Sequence, residues 1–189
     1  MSLFKKIFLN YLFTFLFVWG CTNYSYAQTP VSNEYQIKAA FLFNFTQFVE
    51  WPNTSFATSN EPLVIGILGK NPFGSYLNEI ITGEVVNGHP LVIRYYPTAS
   101  ELQYCHILYI NKSEIDNLKQ ITEKLKGQST LTISDANNFL NSGGMVELFT
   151  RDKKIKIKIN LEDAKEKKLT ISTKLLRLAE IFVLIKKDK

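Results

Sequence analysis

This sequence is poor in the residues that usually carry chemistry. Its 189 residues include two cysteines and two histidines, and neither His89 nor His106 stands at metal-ligand spacing from another His or Cys. A zinc site of the usual spacing is thereby excluded. Cys105 and His106 are neighbours on a predicted strand, where successive side chains point to opposite faces, so they cannot pass a proton as a nucleophile and base. No nucleophile elbow and no dinucleotide fingerprint is present. Gly69 and Gly74 keep phosphate-loop spacing, but Ser75 stands where that motif requires lysine, so the segment reads as a structural turn. These absences give a reading of a non-enzymatic chain without cofactor or metal.

A strong charge of one sign is missing too. The formal net charge is +5, and removal of residues 1–27, which hold two lysines and no acid, lowers it to +3. That is too mild to indicate a nucleic-acid partner. Nor is there a long uninterrupted apolar run. Lys5 and Lys6 precede Ile7 to Trp19, which is broken by Asn10 and Thr14 and is too short and too early for a membrane span. It reads as an export signal, with Ser25 and Ala27 as the small residues before a cut that leaves Gln28 first. The competing cut at Cys21 would make a lipoprotein, although Trp19 is bulky for that motif. The expected organisation is a signal peptide over 1–27 and one domain over 28–189, located in the periplasm. Cys105, alone after cleavage, begins an apolar run and reads as a buried residue.

What is present is a regular alternation of short apolar runs and helical patterns. Ser32 or Asn33 can cap a helix from Glu34 to about Glu50, with Ile37, Phe41, Phe45 and Phe48 on its packed side and Asn44 needing an internal partner. Strands are predicted at Leu63 to Leu68, Leu91 to Tyr96, Cys105 to Ile110 and Thr130 to Ser134. Helices are predicted at Ser75 to Ile81 and at Glu114 to Lys126, the latter capped by Ser113. Asn87 and Gly88 mark a turn. The implied fold is α/β: a layered domain with a central, mostly parallel sheet, helices on both faces and a C-terminal antiparallel hairpin. After it, Leu161 to Lys168 is a short helix, Leu169 to Ser172 is extended, and Thr173 to Lys186 is a closing helix lined by Leu175, Leu178, Ala179, Phe182 and Ile185. Arg177 and Glu180 are spaced to pair.

The hairpin organises the rest. With Arg151 and Asp152 as its turn, Glu147 faces Lys156, Phe149 faces Lys154, Leu148 faces Ile155 and Val146 faces Ile157. Val146, Leu148, Ile155, Ile157 and Ile159 then form an apolar side. Met145, Glu147, Phe149, Lys154, Lys156, Lys158 and Asn160 form a charged one. A one-residue slip would bury three lysines, so the parity is specified. Two readings stay open: a solvated edge hairpin whose lysines block aggregation, or a surface presented to another molecule.

KAAFLFNFTQFVEWP from Lys38, CHILYI from Cys105, LTISD from Leu131, GGMVELF from Gly143 and IKIKINLEDAKEKKLTISTKLLRLA from Ile155, in this order, resemble the YfiR family of exported bacterial proteins. The resemblance implies a periplasmic α/β domain, often dimeric. It implies repression of an inner-membrane diguanylate cyclase, or a related sensor such as a histidine kinase, through that protein's periplasmic sensor region. Cyclic di-GMP and biofilm formation would fall as a result. Some relatives are disulfide-bonded, but Cys105 has no mature partner here. The residues expected to meet the partner are Glu147, Phe149, Lys156, Asn160 and Arg177. The alternative is a periplasmic binding protein for a small anionic ligand, a nucleotide or an amino acid, using the strand-to-helix turns and Arg177.

Overall fold

The computed structural model describes residues 32–183. The expected signal peptide and the end of the predicted last helix lie outside them. Helix α1 (Asn33–Phe48) begins at Ser32. It is followed by β1 (Val49–Glu50), β2 (Leu63–Leu68), α2 (Tyr76–Ile81), β3 (Val85–Val86), β4 (His89–Tyr96) and β5 (Ile107–Ile110). Then come α3 (Leu118–Lys124), β6 (Leu131–Ser134), β7 (Val146–Arg151), β8 (Lys154–Asn160), α4 (Leu161–Glu166), β9 (Thr170–Ile171), α5 (Thr173–Leu176) and β10 (Ala179–Phe182).

Eight strands form one sheet in the order β10-β8-β7-β6-β5-β2-β4-β3, while β1 and β9 pair separately. Strands β4, β2, β5, β6 and β7 are mutually parallel, and in chain order they give the doubly wound arrangement 2-1-3-4-5. The apolar runs of β2, β5 and β6 are continuous because those three strands are covered on both faces, and every residue in them is buried. One core joins Ala39, Leu42 and Phe45 of α1 to Ile65, Ile67, Ile107, Ile133, Val146 and Ile159. The other joins Val64, Leu68, Leu108 and Ile110 to Leu118, Ile121 and Leu125 around α3.

Several expectations need correction. The core side of α1 runs through Ala39, Leu42 and Phe45, leaving Ile37 exposed and bringing Lys38 inside. Asn44 is half-buried and has no side-chain hydrogen bond among the described residues. The helix predicted over Glu114 to Lys126 divides into a 3-10 stretch, Lys112–Asn117, and the shorter α3. Its cap is the Asn111 side chain, which accepts from Ser113 N–H at 3.0 Å.

The hairpin turns one residue later than expected. Asp152 and Lys153, both at positive φ, form the loop, so Glu147 faces Lys158, Phe149 faces Lys156, Leu148 faces Ile157 and Val146 faces Ile159. A two-residue turn of this hand needs left-handed backbone at both centres, and Asp152 accepts that conformation more readily than Arg151 would. The shift preserves parity, so both faces keep their residues. The closing helix, finally, ends at Leu176, and Ala179–Phe182 is a strand parallel to β8. Apolar residues three and four apart suit a helix, but the Ile181 and Phe182 pair also suits a strand, and an open sheet edge beside β8 decides it.

Candidate partner-docking face

Strand β8 lies inside the sheet, between β7 and β10. Blocking of a sheet edge therefore does not account for Lys158, whereas Lys154 and Lys156 lie on the part of β8 that β10 does not reach. Val146, Leu148, Ile157 and Ile159 turn into the core beneath α1. On the opposite side, the α3 core includes no residue of β7 or β8, and only Phe182 of β10 packs at its margin. That face of the hairpin has no helix over it among the described residues. It presents Glu147 opposite Lys158, Phe149 opposite Lys156 and Arg151 opposite Lys154.

The aromatic ring organises the charges. Lys158 Nζ lies 4.8 Å and Arg151 Cζ 5.5 Å from the centroid of Phe149, so two cations flank one half-buried ring. Arg151 also pairs with Glu180 of β10. Lys154, Lys156 and Lys158 make no salt bridge among the described residues. The surface is thus a row of unneutralised ammonium groups beside an aromatic ring, able to attract carboxylates and to pack apolar atoms. It has no nucleophile and base in contact.

The structure brings three of the five expected partner residues together: Glu147, Phe149 and Lys156 share this face. Arg177 is exposed at the end of α5, and the pairing expected between it and Glu180 is replaced by that of Glu180 with Arg151. Asn160 is only 4% exposed. Its Oδ1 accepts from Asp163 N–H at 3.3 Å and its Nδ2 donates to Asp163 Oδ2 at 2.8 Å, which caps α4.

A second polar constellation lies where doubly wound sheets usually hold ligands, beyond the carboxyl ends of the parallel strands. Lys38, 2% exposed, places Nζ 2.6 Å from both Asp135 Oδ2 and Glu34 Oε1. Asp135 also accepts from Tyr35 at 3.1 Å and from Tyr109 at 2.9 Å, and Lys112 Nζ stands 3.4 Å away. Burial pushes the Asp135 carboxyl up, but the hydrogen bond and charge of Lys38 outweigh it and hold the group below the usual carboxylate range. Burial and then the Asp135 charge push the Tyr35 hydroxyl up to about 12. Between β2 and β5 themselves, Gly69 at φ +82 packs so tightly that a Cβ would stand 2.8 Å from Ser113 Oγ and from Glu114 Cγ. The crevice is filled by the protein's own side chains.

At the opposite end of the sheet, His106 is stacked on Phe56 at 4.4 Å, and Phe56 on His89 at 3.7 Å. Its Nδ1 accepts from Val64 N–H at 3.0 Å, so Nε2 carries the hydrogen directed at Ser55 O, 3.3 Å away. Burial lowers its pKa to about 4, and burial raises that of Cys105 to about 12, leaving a neutral ring and an inert thiol.

A family model described as YfiR/HmsC-like matches residues 35–180, and the chain belongs to that family. The family is regulatory, non-catalytic and periplasmic, and fits control of diguanylate cyclase signalling. A comparison with curated proteins finds no match. No helix among the described residues is long and apolar enough to cross a membrane.

Proposed function

We propose that this chain is exported by its first 27 residues and acts as one periplasmic domain, 28–189, alone or as a homodimer. It binds the periplasmic sensor region of an inner-membrane diguanylate cyclase, or of a related sensor kinase, and represses it without chemistry of its own. The observation that carries this reading is the uncovered face of β7 and β8, where Phe149 is held between Arg151 and Lys158. A regulator of this type works by linkage: preferring the inactive state of its partner, it shifts that partner's equilibrium by the difference between its two affinities. The small-anion alternative has less support, because Lys38, the buried cation at the strand ends, is already neutralised by Asp135 and Glu34.

Capture of the sensor from detergent-solubilised membranes tests the reading. Lys156→Glu reverses a charge on the docking face and Phe149→Ala removes the ring that supports two cations, so each is expected to abolish capture with the far-UV spectrum unchanged. Undiminished capture by both folded variants would move the interface elsewhere.

A further inference from the structure

The sheet is a three-layer sandwich with one panel missing. On one side α1 and α4 cover it as far as β8; on the other α3 covers β2, β5 and β6, and among the described residues no helix lies over β7, β8 and β10, of which only Phe182 reaches the α3 core. The bare panel is amphipathic along a defined line. Lys154, Lys156 and Lys158 follow β8 at alternate positions, about 6.6 Å apart, and Phe149 and Phe182, both half-buried, lie to either side. Over Ile157–Asn160 the backbone groups of β8 are already paired with both β7 and β10, and a strand laid on this face has nothing to bond there. A helix needs no such bonds. Its residues at i and i+4 are separated by about 6 Å along the axis, close to the lysine spacing.

We propose that the occupant of this panel is an amphipathic acidic helix of the partner. Carboxylates four residues apart would meet Lys154, Lys156 and Lys158, and the helix's apolar edge would pack on Phe149 and Phe182. This rests on the docking reading above for its location, and it adds the chemistry and secondary structure of what docks. Charge complementarity carries it: three ammonium groups stand on one strand face, none in a salt bridge among the described residues, around apolar rings that a helix would dry.

The test uses the protein as the cell exports it and a synthetic, fluorescently labelled helical peptide with glutamates four residues apart beside a leucine stripe. Anisotropy is expected to show binding that weakens as salt rises. The same glutamates and leucines in scrambled order should bind about tenfold less well. The double variant Lys156→Glu with Lys158→Glu should lose the acidic peptide and gain a counterpart in which lysine replaces each glutamate, a rescue that a misfolded variant cannot give. Equal binding of the ordered and scrambled peptides would overturn the helix. Unchanged binding by the double variant, or preferential binding of phosphatidylglycerol vesicles, would overturn the assigned face or the protein partner. The two readings separate in the capture assay. If the peptide fails while Phe149→Ala abolishes sensor capture, docking stands and the acidic helix falls. If the peptide binds this face as described while no sensor is captured, the helix site stands and the cyclase reading falls.

Discussion

Lys38, 2% exposed, places its ammonium group between the carboxylates of Asp135 and Glu34. It occurs in an aromatic helix, where a lysine normally marks the solvent side, yet it is buried because Asp135, 97 positions away, meets it. Nothing local signals that partnership, since the two residues are 97 positions apart. Removing one member of such a pair leaves the other charged and dry. Lys38→Met is therefore expected to cost about 3–5 kcal/mol in urea unfolding, whereas Tyr109→Phe, which removes one of several donors to Asp135, should cost about 1 kcal/mol. Unchanged stability in Lys38→Met would show that the ion pair with Asp135 does not hold this end of the sheet together. Asn160 poses the reverse problem. Its place on the charged face was legible, but not its burial, because capping depends on where α4 begins. Asn160→Ala should lose about 1 kcal/mol of stability while sensor capture remains intact, separating the cap from the docking residues.

At the scale of elements, strands β2, β4, β5 and β6 were legible because buried parallel strands are short apolar runs closed by turn residues. Hairpin parity was legible because a slip would bury lysines, but its register was not: two positions of shift leave the faces identical, and only turn chemistry distinguishes them. The last strand was the least legible, since Ala179 to Phe182 takes its conformation from β8 beside it. The loop between β1 and β2 also depends on a distant element, being clasped by His106 through Ser55 O and by His89, whose Nδ1 lies 2.7 Å from Glu61 O. This gives the element a pH dependence with a definite sign. The folded His106 titrates near 4 and the unfolded ring near its ordinary 6.5, so the unfolded chain takes up the proton first as pH falls. The stability held by the neutral ring is intact above about pH 6.5 and is lost progressively toward pH 4. Asp135, held low, contributes its own loss only below its ordinary 3.8. Thermal melts over this range should fall in midpoint, and His106→Asn, which keeps an acceptor for Val64 N–H, should flatten the slope. An equally steep slope in that variant would assign the acid sensitivity to another group.

For the whole molecule, the sheet order sets a gradient of stability from centre to edge. Strands β2 and β5 lie between two cores, while β10 joins only β8, is flanked by Leu178 at 70% exposure and Val183 at 68%, and contributes Ala179 and Phe182 only at the margins. Local opening should therefore begin at β10 and reach β2 and β5 only with global unfolding. Amide hydrogen exchange is expected to rank the strands in that order. Ending the chain after Leu178 removes the Arg151–Glu180 pair and frees the backbone edge of β8, but it leaves both cores nearly whole. Such a chain should still unfold in a single cooperative step at a lower midpoint. It should also remain soluble, because the new edge would carry Lys154, Lys156 and Lys158, charges of the kind that discourage edge-to-edge pairing. A truncated chain that failed to fold would show instead that β10 belongs to the cooperative core and that the bare panel is held in shape by it, in which case a partner seated there would couple directly to global stability.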